Sequence, residues 1–216
     1  MQEIKNSGWS IWGRSFFGFI GIILLFYATG NARQADVALL NRTSPIFVTI
    51  FAGLFLKERI SFGEIISTAL CLLGAFIAMQ PSFDSNPFPL FAALLASIAG
   101  GIAYTMLSYC KNFASPTTII YHFSALSTIC SGLLMIRTFA FPPFETAIQL
   151  VLIGIFAALG QFLLTYAYQK APASEVSIYQ FSGVVFTALL SFVVFNEPIS
   201  KSAIVGGAFI LIRKLQ

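Results

Sequence analysis

Apolar runs long enough to cross a bilayer follow one another from end to end of this chain, and no connection between them is long enough to be a soluble domain. A helical span needs roughly 17–25 mostly apolar residues. Eight segments meet or approach that length, at 15–28, 35–56, 62–79, 88–107, 117–136, 146–167, 174–195 and 202–212. The first and last are short. Only 9% of the residues are charged and 57% are hydrophobic, against about 25% charged in an ordinary soluble domain. So few charges cannot cover a globule in water, and so much apolar surface excludes disorder. Lipid is the remaining solvent. Backbone polar groups must then be satisfied within each segment, which predicts an all-α, polytopic membrane helix bundle of about eight spans. No cleavable signal peptide is expected, because residues 1–10 are polar and the first apolar run leads into others of its kind.

The placement of Lys and Arg predicts orientation. Lys5, Arg14, Lys57, Arg59, Lys111, Lys170, Arg213 and Lys214 fall on one side, and Arg33, Arg137 and Lys201 on the other. Eight against three places both termini in the cytoplasm of a cell (inner or plasma) membrane. The net charge of +4 is spread singly among apolar runs, so no nucleic-acid partner is expected. Cys71, Cys110 and Cys130 show no Cys-x-x-Cys spacing, and one histidine cannot build a multi-histidine centre, so neither a metal nor a cofactor is expected. No nucleotide-binding or hydrolase motif occurs, which argues against an enzyme and against an ATP-driven pump.

Sliding the chain by 139 positions aligns residues 15–61 with 154–200 without a gap. Twelve of those 47 positions are identical, including the loop pairs Glu58/Glu197 and Ser61/Ser200. Five crossings separate the copies. An odd number means that they traverse the membrane in opposite directions, the inverted-topology repeat of secondary transporters. The repeats are expected at 1–81 and 87–216. If both halves are equal, about fifty residues, or two spans, are lacking before Met1.

The run Ala35-Asp36-Val37 through Asn41-Arg42-Thr43-Ser44-Pro45-Ile46-Phe47 to Lys57-Glu58-Arg59-Ile60-Ser61 resembles the EamA domain of the drug/metabolite transporter superfamily, with a Pro inside its fourth helix and an acidic residue just after it. Ala173-Ser174-Glu175 through Asn196-Glu197-Pro198-Ile199-Ser200 resembles the matching end of a second EamA repeat. Two departures stand out: the first two helices of that family's ten are absent, and Val184 stands where the first copy has Pro45. The resemblance implies two inverted five-helix halves carrying a small polar metabolite or drug by alternating access, with amino-acid-like efflux among the activities implied. The implied partners are a small-molecule substrate and the bilayer; a homodimer stays open. The alternative is a non-transporting membrane protein, or an inactive truncated remnant of such a transporter.

Candidate substrate contacts are the polar groups that fall inside spans: Asn41, Arg42, His122, Gln161, Tyr179 and Gln180. Pro45 lacks an N–H and should bend the helix beside Asn41 and Arg42, and Gly183 should soften the second copy at the matching depth. Arg42 either receives an anionic group such as a carboxylate or snorkels to the external interface with a partner such as Asp36. His122 either titrates during a proton-coupled cycle or bonds across helices. Gln161 either lines the cavity or bonds a neighbouring helix, and Tyr179 and Gln180 either face the cavity or pack. Glu58 and Glu197 either carry protons or cap helix ends.

Overall fold

The computed structural model describes residues 2–84, 86–196, 198 and 200–212. They form helices and connecting turns, with no strand among them. In chain order these are α1 (Gln2–Asn31), α2 (Gln34–Asn41), α3 (Ser44–Phe51) running into a π-turn (Ala52–Leu56), α4 (Phe62–Met79) and α5 (Pro87–Tyr109). There follow α6 (Pro116–Met135), α7 (Phe144–Lys170), α8 (Ala173–Ile178), a 3₁₀ turn (Tyr179–Phe181), α9 (Ser182–Phe195) and α10 (Lys201–Ile212). Seven described stretches are long and apolar enough to cross a membrane, with α2–α3 and α8–α9 each counting as one broken span. The described part of α10 is only 12 residues long. The helix that carries the first span already runs through residues 8–14, ahead of Ser15, because residues 8–13 are uncharged and continue it.

Capping residues in the connections set the helix starts. Ser61 and Glu64 form a reciprocal capping box at the start of α4, while Asn86 before Pro87 and Ser115 before Pro116 cap α5 and α6. Such caps satisfy amides that a helix leaves unpaired at its start.

α5 is the hub. Its Ala92, Ala93, Ala96, Ser97, Gly101 and Ala103 are buried, and small residues let helices approach closely without help from water. A Cβ on Gly101 would stand 2.5 Å from the Phe47 Cβ and 3.3 Å from the Val48 nitrogen, so glycine is required where α3 crosses. α1 lies along α5 and also touches α6, while α4 packs against α10. By contrast α7 buries only Thr165 and Tyr168. Its Phe156 and Leu163 are among many large side chains turned outward.

The 139-residue repeat recurs in the backbone. α1 ends at Asn31 and α7 at Lys170. Lys57 and Asn196, which end the two broken spans, share a left-handed conformation with φ of 55° and 52°. Ser61 caps α4 and Ser200 caps α10 through their hydroxyls. Contacts between the broken spans fix their relative sense. Glu58, at the end of the first, accepts hydrogen bonds from the amides of Ala173 and Ser174, at the start of the second. Arg42, midway along the first, reaches Gln180, midway along the second. End meets beginning and middle meets middle, so the two spans run antiparallel, as an inverted repeat requires.

Candidate functional site

Both broken spans interrupt at matching positions, about 139 residues apart. In the first, α2 stops at Asn41 and α3 starts at Ser44, with Pro45 in its first turn. Proline has no amide to give the Asn41 carbonyl, so the regular ladder cannot pass. The Thr43 hydroxyl holds the break, donating to the Leu40 carbonyl at 2.6 Å and standing 2.8 Å from the Ser97 hydroxyl of α5. In the second, the 3₁₀ turn Tyr179–Phe181 makes the interruption without proline, just before Gly183.

A polar cavity of about 120 Å³ opens beside these breaks. Arg14, Asn41, Ser44, Tyr104, Gln161 and Gln180 supply its polar lining, with Gly18, Gly21 and Gly100 among the small residues that leave it space. Among the described residues no carboxylate lines it. Bulk water takes about 30 Å³ per molecule, so the space suits about four waters or the head of a small metabolite. A larger groove of about 880 Å³ lies between Trp9, Trp12, Phe16, Phe17 and Met106. It is almost wholly apolar and its aromatic rims are exposed, as expected of a surface facing lipid.

Arg14 is the residue that sequence reasoning missed. Beginning the first span at Ser15 put it at the interface among the orienting charges. The apolar helix continues on its N-terminal side, so Arg14 lies within it and is only 3% exposed. The uncharged stretch Gly8-Trp9-Ser10-Ile11-Trp12-Gly13 was the available signal. Without Arg14 the basic residues still divide seven against three. Its Nη2 donates to Gln161 Oε1 at 3.2 Å, its guanidinium lies 4.3 Å from the centre of the Phe123 ring, and its Nε is buried without a partner. A Cβ on Gly18 would collide with Arg14 Nη1, so glycine there makes room for the guanidinium.

Arg42 donates from Nη1 to the Gln180 carbonyl oxygen at 2.6 Å. Gly183 admits it: an added Cβ would stand 3.0 Å from Arg42 Nη2. Asp36 is not its partner. That carboxylate is fully buried at the start of α2 and accepts from the Ser82 amide at 2.9 Å, fastening the connection between α4 and α5. Holding a cation at span depth costs about 2.5–3.5 kcal/mol on insertion scales. Among the described residues the two cations are held by a ring and neutral oxygens.

The structure brings Asn41, Gln161 and Gln180 to the cavity and sets Arg42 beside it. The Gln180 side chain is fixed by a 2.9 Å bond from Nε2 to the Tyr168 hydroxyl, and Tyr168 stacks on Tyr104. His122 and Tyr179 are not in the lining. His122 Nδ1 stands 3.3 Å from the Ser15 hydroxyl, and its ring packs edge-on to Trp12, an interhelical contact between α6 and α1. Tyr179 is half exposed. Glu58 caps α8, accepting from the amides of Ala173 (2.9 Å) and Ser174 (3.2 Å) and from the Ser174 hydroxyl (3.0 Å). Glu197 lies outside the described residues. Among the described residues no cluster of His, Cys, Asp and Glu could hold a metal ion.

The sequence profile of the EamA-like transporter family matches residues 1–80 and 87–212. The pseudopaline exporter CntI of Pseudomonas aeruginosa is 28% identical over 201 residues, which cover 92% of this chain and 71% of that one. The riboflavin transporter of Brucella anthropi is 29% identical over 199 residues, 88% of this chain and 69% of its own. Human solute carrier family 35 member G1 is 23% identical over 92% of this chain and 59% of its own. A solved crystal structure superposes with a TM-score of 0.80 over 95% of this chain and 74% of its own. At 15% identity it supports the fold alone.

Proposed function

We propose a specific transport reaction from an established premise: the chain belongs to the EamA-like transporter family. The reading is that the protein moves a small polar metabolite across the cell membrane by alternating access, with the polar cavity as its binding site. The observation that carries it is the cavity's position. It lies where both broken spans interrupt, and its lining mixes side chains from both repeats: Arg14, Asn41 and Ser44 from the first, Gln161 and Gln180 from the second. Rocking of one repeat against the other would open such a site to each side in turn. The Glu58 cap joins the repeats at one end of the path, where opening would break it. Asn41, Gln161, Gln180 and Arg42 are the proposed substrate contacts; His122 and Tyr179 serve helix packing in this reading. Export is the proposed direction, in keeping with the relative named as an exporter.

The test is flux. Purified protein is reconstituted in liposomes and offered labelled amino acids, dicarboxylates, sugars and nucleosides. Saturable uptake of at least one compound, above that of protein-free liposomes, is expected. Equal leak with and without protein for the whole panel would refute the reading.

A further inference from the structure

We propose that the ligand of the cavity is an oxyanion, a carboxylate or phosphate group on a small molecule, and that Arg14 is its principal contact. This rests on the cavity being the binding site. Arg14 is almost fully buried, yet among the described residues no carboxylate lines the cavity it faces. Its partners are the Gln161 amide oxygen and the face of Phe123, and its buried Nε has none. A guanidinium presents five N–H donors in a planar fork that fits an oxyanion with two parallel bonds. Among the described residues only Gln161 gives that fork a hydrogen-bond acceptor. Gln161 gives Arg14 one neutral acceptor, which an incoming oxyanion replaces with a stronger, charge-assisted one. Arg42, held by the Gln180 backbone carbonyl, adds a second positive charge close to the lining residues Asn41 and Gln180.

The second repeat makes the same point by contrast. The counterparts of Arg14 and Arg42 are Ile153 and Phe181, so both cations belong to the first repeat. Each is held by a glutamine of the second, Gln161 or Gln180. A charge needed only to build the fold would be cheaper as the apolar residue its own copy carries. Two positive groups retained opposite neutral acceptors form a site left for a negative guest.

The experiment uses binding, so that it stands apart from flux. Protein in nanodiscs of phosphatidylcholine alone, with no anionic headgroup present, is melted with succinate, with inorganic phosphate and with the neutral isostere succinamide. Succinate or phosphate should raise the melting temperature and succinamide should not; which anion acts separates carboxylate from phosphate. Arg14→Gln should weaken the effective anion at least about tenfold, and Arg14→Lys should restore part of it. Gln161→Glu supplies an internal carboxylate to Arg14. It should raise the basal melting temperature and abolish the response to anions, which keeps the test decisive if Arg14→Gln does not fold. The proposal is overturned if neither anion acts on the wild type, if succinamide acts as strongly, or if the anion response survives in Gln161→Glu or in folded Arg14→Gln. Saturable flux of a neutral solute together with any of these results would leave the transport reading standing and remove only the oxyanion.

Discussion

The two broken spans are copies of one helix, and they keep the same backbone while dividing the chemistry between them. Each interrupts at mid-length, each ends on a left-handed residue, and each is followed by a capping serine. At the interruption the first carries Asn41-Arg42-Thr43 where the second carries Gln180-Phe181-Ser182. The amide is retained in both and lines the cavity in both. The cation is retained in one. The helix preceding each span repeats the lesson: α1 has Arg14 opposite Ile153 of α7, whereas α7 has Gln161 opposite Ile22 of α1. Duplication explains the symmetric scaffold. Divergence explains why the guanidiniums of one half meet oxygens of the other and not each other, since like charges at this depth would repel with little water to screen them.

Making the first copy resemble the second should break this division most severely. Arg14→Ile installs the residue of its own counterpart. It removes the one charged group that lines the cavity among the described residues and strands Gln161, and flux should fall by about 100-fold in folded protein, since losing one member of a buried charged contact costs 2–5 kcal/mol. Glu58→Ala should act on stability first. It removes three hydrogen bonds at the start of α8 and should lower unfolding free energy by about 1–2 kcal/mol, visible as a lower melting temperature. Gly183→Ala sharpens the comparison from the other side. The new methyl would stand 3.0 Å from the Arg42 guanidinium, loosening its bond to Gln180 and lowering flux by about fivefold, the low end, about 1 kcal/mol, of what overpacking costs. His122→Phe should do least. With His122 on Ser15 and Trp12 and away from the cavity lining, flux should stay within about twofold and its pH profile should keep its shape.

The spans, the repeat and the antiparallel sense were legible because each rests on a long-range count: apolar length, identity at one offset, and parity of crossings. The break at Pro45 was legible because proline lacks a donor. The break at Tyr179–Phe181 had no such marker, and Gly183 turned out to serve Arg42 by leaving it room. Arg14 was hidden by a span boundary. A charge next to an apolar run looks like an interface anchor until a partner is known, and its partners lie 147 residues away at Gln161 and on another helix at Phe123. The cap from Glu58 to α8 was equally out of reach, since Ala173 and Ser174 lie more than a hundred residues further on.

The claim that binds these observations together is that solute passes between two antiparallel repeats that must part where Glu58 meets α8. The direct test bridges that contact. In protein whose Cys71, Cys110 and Cys130 are replaced by serine, Glu58→Cys and Ser174→Cys are joined by a short, reducible dithiol cross-linker, and flux is measured before bridging, after it, and after reduction. Flux should cease on bridging and return on reduction. A bridged protein that transports at its unbridged rate would show that the repeats need not separate there, and the account would be wrong.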